Sequence, residues 1–299
     1  GVPVSAVGLY GKVASQPDFL RAGAGSFSQA GLDRWFQEAM ETLRGEGTNL
    51  PATPTAFLLA PPDAAVAFVG VFAPSADAAG RAFPLVVFSE IPAAGLSDVL
   101  PAVPAGTAPF LNDAVMLTIA AAGADGAALS AQAQALRPAV IAPGDGAWRH
   151  QPRAAVLDAL GGGPAALAYA LRTLQMATDR ARAGGSAGTG LTVDAPAPSG
   201  EAIGLWLEIV RRRLGPRVVP SLIWTEGLEG RLLITLGPPA PAALSYLANP
   251  RHRSSKLWPL RTTVASATDE ALRALAPEQR RLVENPGASL GDLAGAFSA

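Results

Sequence analysis

Three short apolar runs dominate the first third of this 299-residue chain. They cover residues 55–60, 65–72 and 83–88, and turn-forming residues separate them. A strand with one face in water alternates apolar and polar residues, whereas these runs are apolar almost throughout. The pattern therefore predicts buried strands with both faces covered, as in an α/β fold whose sheet carries helices on its two sides.

Helical periodicity is clearest over residues 32–44. Leu32, Trp35 and Phe36 begin an apolar stripe at the i, i+3, i+4 spacing, and charged residues cover the opposite face. We also predict a first strand at 6–13, helices at 164–182 and 201–214, and a hairpin formed by 218–224 and 230–236. Residues 92–128 contain three closely spaced prolines, and we predict a loop there with one short buried segment at 114–121.

Segment composition suggests a division of the chain. We predict an N-terminal domain at 1–183, a Gly-, Ala- and Pro-rich linker at 184–199, and a C-terminal helix–hairpin–helix extension at 200–299. The sequence carries no signal for an oligomeric state.

Composition and charge exclude several classes of protein. There are no cysteines, which excludes disulfides, thiol catalysis and Cys-ligated metal sites. Net charge is −1, so no overall basic field attracts nucleic acid or an anionic membrane. We interpret the basic clusters at 211–213 and 251–256 as a helix end and a solvated loop. No apolar stretch is long enough to predict a transmembrane helix, and no secretory signal is visible.

Motifs for metal, nucleophile and phosphate chemistry are weak. The two histidines, His150 and His252, are far apart and lack partners at metal-ligand spacing. One G-x-S-x-G match, around Ser186, falls in the predicted linker rather than on a strand-to-helix turn. Three glycines at 161–163 precede a helix without a phosphate-binding Lys-Ser/Thr. We therefore predict no catalytic residue, no metal and no cofactor.

A set of polar residues near the predicted strand ends is the best candidate site. If these strands are neighbours, the charged members converge at one sheet edge, where Ser75 is interpreted as a cap or turn residue. The set consists of Lys12, Asp18, Asp33, Ser75, Asp77 and Arg81. Two interpretations stay open: a self-satisfied salt-bridge network, or a surface for a partner or small ligand. If the ligand is small, the Lys12, Asp18, Asp77 and Arg81 cluster belongs to a small-ligand-binding protein, a nucleotide-binding protein or a hydrolase.

The same residues resemble those of the TagF (ImpM) family of type VI secretion-associated proteins. The motifs are Gly8-Leu-Tyr-Gly-Lys12 with Asp18-Phe19, then Leu32-Asp-Arg-Trp35, then Pro74-Ser-x-Asp-x-x-Gly-Arg-x-Phe-Pro-Leu85. They follow the family's order and spacing over about residues 6–88, and a weaker likeness extends to about residue 250. Within these motifs and the later hairpin we expect structural roles for Tyr10, Trp35, Phe83, Pro84 and Trp224.

The resemblance implies a fold and a function. The fold is an α/β sandwich with a largely antiparallel sheet and helices on both faces. The function is that of a cytoplasmic, non-enzymatic regulator that represses assembly of the type VI secretion system after translation. Its implied partner is a forkhead-associated scaffold protein of that apparatus.

Overall fold

The computed structural model of the chain describes residues 6–141 and 146–299. The described residues form two compact units. The first unit comprises the described residues within Gly1–Ala94, Thr107–Val140 and Pro239–His252. The second unit comprises those within Gly95–Gly106, Ile141–Pro238 and Arg253–Ala299. The division at 184–199 predicted from composition stays a prediction, and Thr192–Pro196 within that segment is a β-strand.

The first unit is an antiparallel sheet with helices on both faces, as the apolar strands and the family resemblance led us to expect. Its strands are β1 Val7–Gly11, β2 Leu20–Ala22, β3 Thr55–Leu59, β4 Val66–Ala73 and β5 Leu85–Pro92, in the spatial order β2-β1-β5-β4-β3. Its helices are α1 Gly25–Gln29, α2 Leu32–Glu46, α5 Ala108–Ala120, α6 Gly126–Ala135 and α10 Ala242–Ala248. Helices α5 and α6 pack on one face of this sheet.

Aromatic side chains from α1 and α2 form the core on the other face. Phe27 of α1 stacks on Phe88 of β5 with ring centroids 4.5 Å apart. Phe36 of α2 meets Phe57 and Phe72 at 6.3 and 5.7 Å. Each aromatic ring removes a large apolar area from water, so this layer supplies much of the burial in the unit.

Two glycines make room for these rings. A Cβ atom at Gly8 would lie 2.4 Å from the Phe88 ring, and one at Gly70 would lie 2.1 Å from the Val87 carbonyl oxygen and 2.9 Å from the Phe57 ring. The backbone therefore approaches its neighbours more closely than any larger residue would allow.

The prediction of a loop over residues 92–128 was wrong. Helices α3 Leu96–Val99, α4 Val103–Gly106 and α5 occupy most of it. Pro109 lies in the first turn of α5, where a missing backbone N–H has no intrahelical partner to lose. Pro109, one of the three prolines on which we based the predicted loop, therefore marks the start of a helix.

The second unit is built on four paired strands. Its strands are β6 Thr192–Pro196, β7 Ser221–Thr225, β8 Arg231–Thr235 and β9 Leu257–Pro259, in the order β7-β8-β6-β9. Its remaining helices are α7 Ala154–Leu157, α8 Pro164–Ala183, α9 Gly204–Leu214, α11 Ala265–Ala274, α12 Pro277–Glu284 and α13 Leu290–Phe297. The β7–β8 hairpin and helices α8 and α9 match the sequence predictions. Among the strand pairs of this unit that the structure describes, β6–β9 is the parallel one.

Within the described residues, no single helix combines the length and apolar character needed to cross a membrane. One pair, Ala154–Leu160 and Pro164–Ala183, passes that test only when taken together across a 92° bend.

We expect Gly70→Ala to lower the free energy of unfolding by about 1–3 kcal/mol, because the added methyl group overlaps backbone and ring atoms. Urea denaturation measures the change. Gly45→Ala, on an open face of α2 with no neighbouring atom within 4 Å, is the matched control and should be neutral or slightly stabilising. Equal effects at the two positions would contradict the close-approach interpretation.

Trp35→Ala should lower the free energy of unfolding by about 3–5 kcal/mol, as for other large core truncations. Trp35 is 8% exposed and packs edge-on against Phe36 at 4.9 Å. The exposed neighbour Arg34→Ala is the control for a substitution on the same helix. A melting temperature close to that of the wild type would mean that Trp35 is not a core residue.

Candidate functional site

The edge of the first sheet brings four of the six predicted site residues together. Strand β5 pairs with both β1 and β4, so that the end of β1, the end of β4 and the start of β5 lie at one edge. Lys12 directly follows β1, and the β4–β5 loop carries the other three. We call Lys12, Ser75, Asp77 and Arg81 the charged corner.

Asp77 is the centre of the charged corner, and its side chain is fully buried. Its Oδ1 accepts the backbone N–H groups of Ala79 and Arg81 at 3.0 and 2.9 Å. Its Oδ2 accepts Arg81 Nε at 2.7 Å and lies 3.1 Å from Lys12 Nζ. The carboxylate thus closes its own loop and pairs with two cations, which leaves a net charge of +1 on the three groups.

These bonds determine the acidity of Asp77. Burial alone raises the pKa of a carboxyl group, but here the backbone N–H of Arg81, the Lys12 and Arg81 side chains and the N–H of Ala79 together outweigh it. The pKa of Asp77 falls from 3.8 to about 2. Asp77 is therefore ionised throughout the physiological range.

The corner also holds the chain segment that follows Lys12. Ser75 Oγ donates a hydrogen bond to the Lys12 carbonyl oxygen at 2.7 Å, and Arg81 Nη2 donates to the Pro17 carbonyl oxygen at 2.8 Å. The N–H of Ala78 donates to the Gln16 carbonyl oxygen at 2.7 Å. Ser75 therefore has a structural bond, consistent with a cap or turn residue, and the segment 12–19 is fastened to the β4–β5 loop.

Asp18 and Asp33 lie outside the charged corner. The Asp18 carboxylate is exposed and accepts the N–H of Phe19 within its own turn. Asp33 pairs with Arg21 at 3.2 Å. Sequence reasoning did not single out Arg21, although its place between apolar neighbours on the short strand β2 is a signal for an outward-pointing cation.

Phe19 lies between the charged corner and the ion pair of Arg21 with Asp33. Its ring stacks on Tyr10 at 5.6 Å and meets Phe83 edge-on at 5.0 Å. Lys12 Nζ and the Arg21 guanidinium lie 5.0 and 5.8 Å from its centroid. Cations over aromatic rings are attracted by the ring quadrupole, so this half-buried ring orients both charges.

The structural residues predicted from the motifs are buried. Tyr10 donates its hydroxyl to the Asp33 carbonyl oxygen at 3.3 Å and accepts from Gln37 at 2.9 Å, and burial raises its pKa. The Pro84 carbonyl accepts the Lys12 N–H at 3.3 Å. Phe83 is 4% exposed, and Trp224 lies on β7 in the second unit, 2% exposed.

This arrangement favours binding over acid–base chemistry. Both Asp77 oxygens are engaged and shielded from water, so the carboxylate has no open side for a substrate. In the part of the chain that the structure describes, no group of three or more His, Cys, Asp or Glu residues is placed to hold a metal ion. The accessible parts are the Arg81 and Arg21 side chains, 65% and 44% exposed, and the exposed Asp18 beside Phe19.

Asp77→Asn should remove a pH-dependent part of the stability. A carboxyl group with a depressed folded-state pKa stabilises the fold above its unfolded pKa of 3.8 and loses that contribution as pH falls toward about 2. We expect the variant to melt below the wild type at neutral pH, and the two melting temperatures to converge as the pH approaches 2.

The matched control is Asp18→Asn, since that carboxylate bonds only to its own turn. Thermal melts at a series of pH values measure all three proteins. A constant difference between wild type and Asp77→Asn across the acid range would contradict the buried network.

Comparison with known proteins finds a family match for the N-terminal part of the chain. Residues 8–136 match the domain described as the TagF N-terminal domain, Type VI secretion system-associated. None of the curated proteins matches the chain.

A solved structure supports the fold. The crystal structure of PA0076 from Pseudomonas aeruginosa PAO1 is similar, with a TM-score of 0.50 and 17% sequence identity. The likeness covers 83% of this chain and 96% of that one, and at this identity it concerns the fold alone. Residues 8–136 of this chain therefore belong to the family of TagF N-terminal domains, which are associated with type VI secretion.

Proposed function

We propose that this protein is a cytoplasmic, non-enzymatic regulator that represses assembly of the type VI secretion system by binding a forkhead-associated scaffold protein. The observation that carries the proposal is the TagF N-terminal domain at residues 8–136. The repressor role and the scaffold partner come from the family resemblance of the motifs.

The geometry of the charged corner supports a binding role over the rival enzymatic one. An enzyme or nucleotide-binding protein built on Lys12, Asp77 and Arg81 needs these side chains to line an open site. Instead they bond to one another around a buried carboxylate. Both cations are already paired with that carboxylate, so the three side chains do not line an open site.

We place the partner surface around Phe19, between Arg81 and Arg21. The network holds Arg81 by two hydrogen bonds, to Asp77 and to Pro17, while most of its side chain stays exposed. A side chain held in one rotamer before binding loses less entropy when a partner docks. The buried carboxylate thereby prepares an exposed cation for contact.

The double variant Arg21→Ala/Arg81→Ala should bind the cognate forkhead-associated scaffold on the order of tenfold more weakly, as expected when interface arginines are truncated. Isothermal titration with purified proteins measures the affinity. Arg34→Ala/Arg44→Ala, two exposed cations on α2, is the matched control and should bind like the wild type.

Asp18→Lys keeps the test informative if the double variant folds poorly, because Asp18 lies outside the buried network. The Asp18→Lys variant should change the affinity for the scaffold without changing the melting temperature.

In cells, deletion of the protein should raise type VI secretion. Absence of binding by the wild type together with unchanged secretion after deletion would overturn the proposal.

A further inference from the structure

A second cationic surface lies in the other unit, outside the TagF N-terminal domain. Residues 180–192 and 253–268 contain five cations and no Asp or Glu, in a chain whose net charge is −1. The cations are Arg180, Arg182, Arg253, Lys256 and Arg261. We call these five residues with Trp258 the Trp258 surface.

Three contacts bring the two segments together. The guanidinium of Arg180, in the last turn of α8, lies 5.4 Å from the centre of the Trp258 ring. Lys256 Nζ donates a hydrogen bond to the Ser186 carbonyl oxygen, and the Lys256 carbonyl accepts the N–H of Thr192 at 2.7 Å. Lys256 lies in the turn that directly precedes β9, two residues before Trp258.

The carboxylates that flank the first segment are paired with cations outside this surface. Asp179 pairs with Arg213 at 2.5 Å, and Asp194 pairs with Arg231 at 2.9 Å. Among residues 6–141 and 146–299, none of the five cations forms an ion pair with a carboxylate. Four of them are exposed and Lys256 is partly exposed. Exposed cations without an ion-pair partner can contribute a local positive potential that attracts an anionic partner.

The edge of β9 favours recognition by side chains over strand addition. The N–H of Leu260 points inward and donates to the Asp194 carbonyl oxygen at 2.9 Å. The preceding backbone nitrogen therefore turns outward, and it belongs to Pro259, which has no N–H to donate. Proline on an edge strand blocks the addition of another strand.

The state of Trp258 favours a protein partner over single-stranded nucleic acid. Arg180 already lies over its ring, and the indole N–H donates to the Ser255 carbonyl oxygen at 3.2 Å. A nucleic-acid platform needs a free aromatic face on which bases can stack. Arginine side chains, in contrast, match carboxylate groups in geometry and charge.

We propose that the Trp258 surface binds an acidic protein segment, rich in Asp and Glu, through Arg180, Lys256 and the exposed arginines around them. This surface is separate from the charged corner, so its function does not depend on the proposed repressor role.

Fluorescence anisotropy with labelled poly-L-glutamate tests the proposal on the full chain. We expect saturable binding that weakens as salt is added, because the attraction is between exposed charges. Arg180→Glu/Lys256→Glu should weaken binding on the order of tenfold or more, since it replaces attractions with repulsions. Arg34→Glu/Arg44→Glu changes the net charge equally on α2 and should retain the wild-type affinity.

Arg182→Glu/Arg261→Glu serves as a second variant if the first melts early, because both side chains are exposed. It should also weaken binding. An unlabelled oligo(dT) of equal charge is the competitor. Failure of poly-L-glutamate to bind, equal loss in the α2 control, or stronger binding of oligo(dT) would overturn the proposal.

Discussion

The buried carboxylate of Asp77 organises the edge of the first sheet. It accepts two backbone N–H groups from its own loop and lies against Lys12 and Arg81. A buried charge is unfavourable unless it is paired and hydrogen-bonded, and here both conditions are met. Removing either the carboxylate or its partners would leave uncompensated charge in the interior, so the loop, the end of β1 and the segment 12–19 depend on one group.

The aromatic layer beneath this corner gives it a rigid base. Glycines at positions 8 and 70 make room for rings from β3 and β5, and Phe19 and Phe83 continue the aromatic packing to the surface. The charged corner is thus an extension of the core rather than an isolated surface feature. Packing of this kind favours a recognition surface, because side chains that are already ordered lose little conformational entropy on binding.

Sequence reasoning identified part of the candidate site. Residues that follow β1 and join β4 to β5 were expected to meet, and Lys12, Ser75, Asp77 and Arg81 do meet. Asp33 was expected in the same cluster, but it pairs with Arg21. Apolar periodicity shows which residues are buried, whereas the choice of ion-pair partner depends on side-chain directions that only the folded backbone determines.

The contacts of the basic clusters in the second half of the chain could not be predicted from the sequence. Basic residues at 211–213 and 251–256 were interpreted as a helix end and a solvated loop. In the structure Arg213 is buried and bonds to Thr178 and Asp179, whereas Lys256 joins Arg180 around Trp258. Residues far apart along the chain come together there, and no local pattern predicts such a cluster.

Four of the five strands of the first sheet, the apolar stripe of α2 and the motifs of the TagF family could be predicted from the sequence, because they depend on local order and periodicity; the short strand β2 was missed. Two features could be seen only in the folded structure: Asp77 is the centre of a closed network, and a second cationic surface forms around Trp258. Both depend on distances between residues far apart in the chain, and on which charges find a partner once the backbone is folded.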